Sequence, residues 1–157
     1  MRGHGIDRVR DGRFRVRLAA EERALLRTLP EQLDDALDAD DPSLGRLFPP
    51  AYDERDEERE YRQLVGVSLL EGKRAALRAL ADTAMLERLD EAQLETWLGA
   101  VESLRLVLGT QLDVTESTYA SSVRPDDPDA PRLAVYHWLS WLQEEIVQAL
   151  AAGLRDT

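Results

Sequence analysis

A chain of 157 residues that is 43% hydrophobic suits one domain with a real core. It has no cysteine, which excludes disulfides, thiolate nucleophiles and Cys-ligated metals within these residues. The net charge of −11 is uneven: residues 1–18 hold six Arg against Asp7 and Asp11, a net of +4, and the remainder holds 14 basic and 29 acidic side chains, a net of −15.

The acidic bulk favours solubility and repels nucleic acid, so only the N-terminal segment attracts a polyanion. No apolar run approaches the ~20 residues of a membrane span. The N-terminal arginines are not followed by an apolar stretch, so no secretory signal is expected. The reading is a cytoplasmic protein.

Residues 6–18, IDRVRDGRFRVRL, read as a β-hairpin around Asp11-Gly12, a dipeptide that tolerates positive φ. A two-residue turn there sets Arg10 opposite Arg13, Val9 opposite Phe14 and Arg8 opposite Arg15. Val9, Phe14, Val16 and Leu18 then line one face, and Arg8, Arg10, Arg13, Arg15 and Arg17 the other. Like charges directly opposite one another destabilise a free hairpin, so the Arg face calls for an anion. The simplest anion is the chain's own acidic helices, or the face is merely solvated. The functional ones are DNA phosphate or an acidic partner.

Residues 20–38 read as a helix with a stripe of Leu25, Leu26, Leu29, Leu33, Ala36 and Leu37. Pro30 removes a backbone donor inside it and predicts a kink or break near Leu29. Asp34, Asp35, Asp38, Asp40 and Asp41 oppose the helix dipole and end the helix near Leu37. They lack calcium-loop spacing and read as a solvated acidic loop before a cation site. Residues 42–52, PSLGRLFPPAY, form a connector that Leu44, Leu47, Phe48 and Tyr52 hold on the body.

A long helix follows from Asp53 to about Met85, with acid in its first turns and Tyr61, Leu64, Val65, Ser68, Gly72, Ala75, Ala76, Ala79 and Leu80 on one face. The small residues imply a close helix approach. After a short break over 82–89, Asp90 and Gln93 form a capping box. The helix behind it carries Leu94, Trp97, Leu98, Val101, Leu104, Leu108 and Leu112 on one face. Glu95, Glu102, Ser103 and Arg105 lie off that face. Leu106 and Val107 widen the apolar arc, so this central helix is expected to touch neighbours on more than one side.

Residues 113–130 read as a polar loop, and Asp129 as the cap of a last helix over about 130–152 with Gly153 closing it. Its stripe is Val135, Trp138, Leu139, Leu142, Ile146, Ala149 and Leu150. Tyr136, His137 and Trp141 broaden its aromatic surface. The fold class is mainly α: a compact helical bundle of about four main helices with a short N-terminal β-hairpin, as one domain over 1–157 (hairpin 6–18, bundle 20–152).

The two histidines, His4 and His137, show no paired metal spacing, and no phosphate loop or nucleophile elbow is present. His137 reads first as a helix-flank histidine beside aromatics, ahead of a base or pH sensor. No catalytic residue, metal or cofactor is assigned, and the chain reads as a non-enzyme. The contact candidates are the five hairpin arginines, for a protein partner or DNA. A second interaction surface is the Trp138 and Trp141 flank. The same flank also suits a homodimer.

Four segments carry a resemblance: FRVRLAAEERALLRTLPEQL at 14–33, LGRLFPPAYDERDEEREYRQL at 44–64, ETWLGAVESLRLVLGTQLDVTE at 95–116 and DDPDAPRLAVYHWLSWLQEEIVQAL at 126–150. In this order they resemble the actinomycete oxidative-stress regulator (AosR-like) family, long catalogued as a domain of unknown function. The resemblance implies a small cytoplasmic actinobacterial protein, encoded near a proteolysis adaptor and a cysteine-biosynthesis system that uses a sulfur-carrier protein. It implies a transcription regulator that answers oxidants through a cysteine pair and acts with a stress sigma factor. This sequence departs from that pattern by lacking cysteine. The expected function is a regulator working by protein contact, with DNA contact beside it and no cysteine redox switch. The alternative is an adaptor module in proteolysis or sulfur metabolism with no DNA role.

Overall fold

The structure, a computed structural model, describes residues 4–38, 56–112 and 130–155, with the side chains of 36–38, 56–69, 111 and 155 left aside. The connector at 42–52, the loop at 113–130 up to Ala130, the Asp129 cap and Asp40 and Asp41 lie outside the described residues. The elements run β1 (Gly5–Arg8), β2 (Phe14–Arg17), α1 (Ala20–Asp38), α2 (Asp56–Thr83), β3 (Arg88–Leu89), α3 (Glu91–Gln111) and α4 (Ala130–Arg155). The fold is mainly α, with four described helices and a small antiparallel sheet of order β1-β2-β3.

The capping box stands at the start of α3. Gln93 N–H donates to Asp90 Oδ1 at 2.7 Å, and Asp90 N–H donates to Gln93 Oε1 at 2.8 Å. Behind it Leu94, Trp97 and Val101 are fully buried. The indole N–H of Trp97 donates to Thr83 Oγ1 at 2.7 Å, so this large side chain is buried without stranding its donor. α3 packs against α4, α2, α1 and β3, as its wide apolar arc implies. That same crowding buries Ser103, which the helix pattern had set off the apolar face, and half-buries Arg105. Arg105 crosses to α4, where its Nε–H donates to Ser140 Oγ at 2.9 Å and its guanidinium lies 5.5 Å from the Tyr136 ring centre.

Three further expectations are corrected. α1 runs unbroken through Pro30, which is buried between Leu26 and Leu33 on the core face. Packing of that face outweighs the one lost backbone bond. Among the described side chains of α2, Leu77 and Leu80 are buried, continuing to Ala84 just beyond it, and Ala76 packs partly buried against the core. Gly72 and Ala75 are exposed, and a Cβ at Gly72 would meet nothing within 4 Å. Gly72 and Ala75 therefore mark no close helix approach, whereas the expected face holds at Ala76 and Leu80. Gly153 lies inside α4 instead of closing it.

The largest correction concerns the hairpin. Gly5 pairs with Arg17, Ile6 with Val16, Asp7 with Arg15 and Arg8 with Phe14. Val9 N–H donates to Arg13 O at 2.8 Å, which leaves Arg10, Asp11 and Gly12 as a three-residue loop. Gly12 has φ 83°, the left-handed residue that such a loop needs. The side chain of Asp11 accepts from Arg13 N–H at 2.9 Å and holds the turn. A shift of one residue moves β1 to the opposite facing. Ile6 and Arg8 now share the inner side with Phe14 and Val16, and Asp7 faces outward with Arg15 and Arg17. The sheet is completed by β3, which pairs Phe14 with Leu89 and Arg15 with Arg88. Ile6, Phe14, Val16 and Leu89 join the main hydrophobic core, so the sheet is a wall of the bundle.

Candidate functional site

The outer face of the sheet carries the charge. β2 supplies Arg15 and Arg17, with the exposed Arg13 just before it, and β3 adds Arg88 directly opposite Arg15. Asp7 lies within 3.3 Å of Arg17, and Asp11 within 3.6 Å of Arg88. Arg10 is exposed in the loop. Arg8 belongs to the inner side, where its stem lies 3.8 Å from where a Cβ on Gly153 of α4 would stand. Of the five hairpin arginines, then, three form the outward row, one caps the loop and one leans on α4. Arg88 replaces Arg8 on the face.

Beneath this face lies Arg23 of α1, a residue outside the candidates that the sequence offers. It is 9% exposed. Its guanidinium donates to Ala84 O at 2.9 Å, Leu86 O at 2.8 Å and Val16 O at 2.8 Å. Two of these carbonyls follow the C-terminus of α2 and the third lies within β2, so a cation sits where the α2 dipole is negative. Arg23 therefore ties together α1, β2 and the turn before β3. The one hint of it in the sequence was a charged residue beside the α1 stripe, a position that is ordinarily solvated. Arg15, Arg17, Arg23 and Arg88 line a cleft of about 530 Å³ with Val16, Leu18, Met85 and Glu87.

The Trp138 and Trp141 flank is engaged from within the chain. Both are half-buried against the core. Trp141 stacks on His4, with ring centres 4.3 Å apart and planes 3° from parallel. His4 Nε2 is 2.7 Å and 2.8 Å from the two carboxylate oxygens of Glu22. Trp138 Nε1–H donates to Glu22 Oε2, and Ala19 N–H donates to Glu22 Oε1 at 2.7 Å. Burial alone would raise the Glu22 carboxyl. The bonds from Ala19, His4 and Trp138, with the charge of His4, outweigh it and hold the group below its ordinary value. This cluster clasps the N-terminal segment to α1 and α4.

His137 is exposed on α4, edge-on to Tyr136. A mainly apolar groove of about 330 Å³ runs between α1, α3 and α4, lined by Leu25, Leu29, Leu104, Val107 and Leu139 among others. Among the described residues no group of three or more His, Cys, Asp or Glu is placed to hold a metal ion, and no helix is long and apolar enough to cross a membrane.

Residues 1–150 match the family described as domain of unknown function DUF2017. The chain belongs to that family. It is 30% identical to the oxidative stress regulator AosR of Mycobacterium tuberculosis, over 90% of this chain and 84% of that protein, and equally so to AosR of Mycobacterium bovis. It is 33% identical to a Mycobacterium leprae protein provisionally named as the same regulator, over 72% of this chain. There the chain spans only 60% of the relative's length. The family is therefore the AosR-like one that the four segments resemble. No solved structure matches the chain.

Proposed function

We propose that this AosR-like chain is a cytoplasmic, non-enzymatic regulatory protein of the oxidative-stress response, acting as one domain by contact with another macromolecule through its arginine-bearing sheet face. The observation that carries the reading is the row of Arg13, Arg15 and Arg17 beside Arg88 on a molecule of net charge −11. The names of the mycobacterial relatives supply the process. A protein partner, such as a stress sigma factor, is the first choice, and DNA the second. Without cysteine, these 157 residues cannot carry a thiol switch of their own, so any signal arrives by another route.

Pull-down with the full chain, with and without nuclease, separates protein partners from DNA-borne ones. Replacing Arg10, Arg13 and Arg15 by Ala is expected to weaken the contact and flatten its salt dependence. Binding that is unchanged by the substitutions at both low and high salt defeats the reading. The adaptor alternative draws no support from the Trp138 and Trp141 flank, because His4 and Glu22 already occupy the polar and stacking positions there.

A further inference from the structure

We infer that the cleft between β2 and the turn before β3 is a docking site for an acidic segment of a partner protein that carries apolar side chains. This deepens the proposed contact and rests on it: it shares Arg15, Arg17 and Arg88 with that face, adds Met85, and names one chemistry.

Three observations converge. The first is charge. Four arginines and one glutamate, Glu87, line the cleft in a chain that is otherwise strongly acidic. Arg15 and Arg88 stand directly opposite each other on adjacent strands. Asp7, opposite Arg15 on β1, and Asp11, beside Arg88, offset this like-charge pair only from its edges, so an anion over the pair is favoured. The Arg88 contact to Asp11 is 3.6 Å long with both side chains near half exposure, and such pairs compete weakly with a ligand.

The second observation is apolar. Met85, which lines the cleft, is 58% exposed, and its chain neighbour Leu86 is 42% exposed. Large apolar side chains beside cations suit a ligand that brings both carboxylates and aliphatic groups.

The third is rigidity. Arg23 bonds Ala84 O and Leu86 O on one side of the cleft and Val16 O on the other. The rim is thus ordered before any ligand arrives, which lowers the entropy cost of binding.

The same observations argue against duplex DNA as the occupant. A duplex presents phosphates along its whole length and would bring many of them against an acidic body. It would also leave Met85 and Leu86 without a partner. A short acidic segment engages the cleft alone.

The test is fluorescence anisotropy with the full chain and three labelled probes: a peptide alternating Glu with Leu, the same peptide with Gln for Glu, and a DNA duplex. The Glu–Leu peptide is expected to bind, with an affinity that falls as salt rises, and the other two to bind more weakly. Arg88→Glu is expected to weaken it roughly tenfold or more, and Met85→Ser to weaken it at every salt concentration. Arg88→Lys, which keeps the charge, is expected to retain most of the binding. Both positions are exposed, and unchanged melting curves will show that the variants are folded. Equal binding of the Gln peptide, tighter binding of the duplex, or indifference to both Arg88→Glu and Met85→Ser overturns the proposal. Native-partner capture lost on replacing Arg10 and Arg13 but kept in Arg88→Glu overturns the cleft and leaves the regulatory reading standing. Capture that ignores all of these substitutions removes both.

Discussion

Arg23 shows how much one side chain can hold. Its three carbonyl bonds join an α1 residue to β2 and to the turn after α2. Methionine would keep much of the stem's packing and lose all three bonds, leaving carbonyls without a donor. Arg23→Met is expected to cost about 3 kcal/mol, read as a lower urea midpoint. A loss within experimental error would mean that the three elements hold together without it. Glu22 makes a pH-dependent contribution. Its folded carboxyl lies below the ordinary 4.5, so its stabilisation is complete above that value and is lost as pH falls through the lower folded value. Glu22→Gln should therefore lower the melting temperature at neutral pH and narrow its gap to the parent as acid is added. A gap that stays constant with pH would contradict the clasp.

Element boundaries were decided by local chemistry where that chemistry was strong. The Asp90 box and the apolar arc behind it placed α3 within a residue of where it lies. α1 is the converse case, because a helix packed along Leu26 and Leu33 keeps its course through Pro30. The expected α2 face holds at Ala76 and Leu80 but not at the exposed Gly72 and Ala75, because alanine and glycine carry little burial signal, and Leu77 is buried beside it. That exposure yields a prediction. Gly72 sits in open space within a helix, so Gly72→Ala is expected to stabilise the protein by ~0.5–1 kcal/mol, seen as a raised melting temperature. A destabilised variant would place a neighbour against that position. In the hairpin, the loop length governed everything: three residues instead of two turned Arg8 inward and Asp7 outward.

At the scale of the molecule the charge is segregated. The body carries the excess of acid, and the sheet face sets Arg13, Arg15, Arg17 and Arg88 side by side. Self-repulsion of a chain at −11 is screened by salt, so the melting temperature is expected to rise between low and physiological ionic strength. Partner binding is expected to move the opposite way, weakening over the same range. A fall in melting temperature with salt would show that ion pairs such as Arg74–Asp34, at 3.3 Å between α2 and α1, outweigh the net repulsion.

The sequence by itself determined the helices, the class of the fold, the family and the presence of a cationic N-terminal segment. Those features are written in residues three or four apart or in composition, where each local interaction can be judged alone. Only the tertiary structure decided which arginines share a face. Arg88 reaches Arg15 through a two-residue strand with no propensity signal of its own, and Arg23 is buried because three distant carbonyls converge on it. The two tryptophans met their partners, His4 and Glu22, in the same way. A contact between segments far apart in the chain depends on how every intervening element packs, and no window of sequence contains that information.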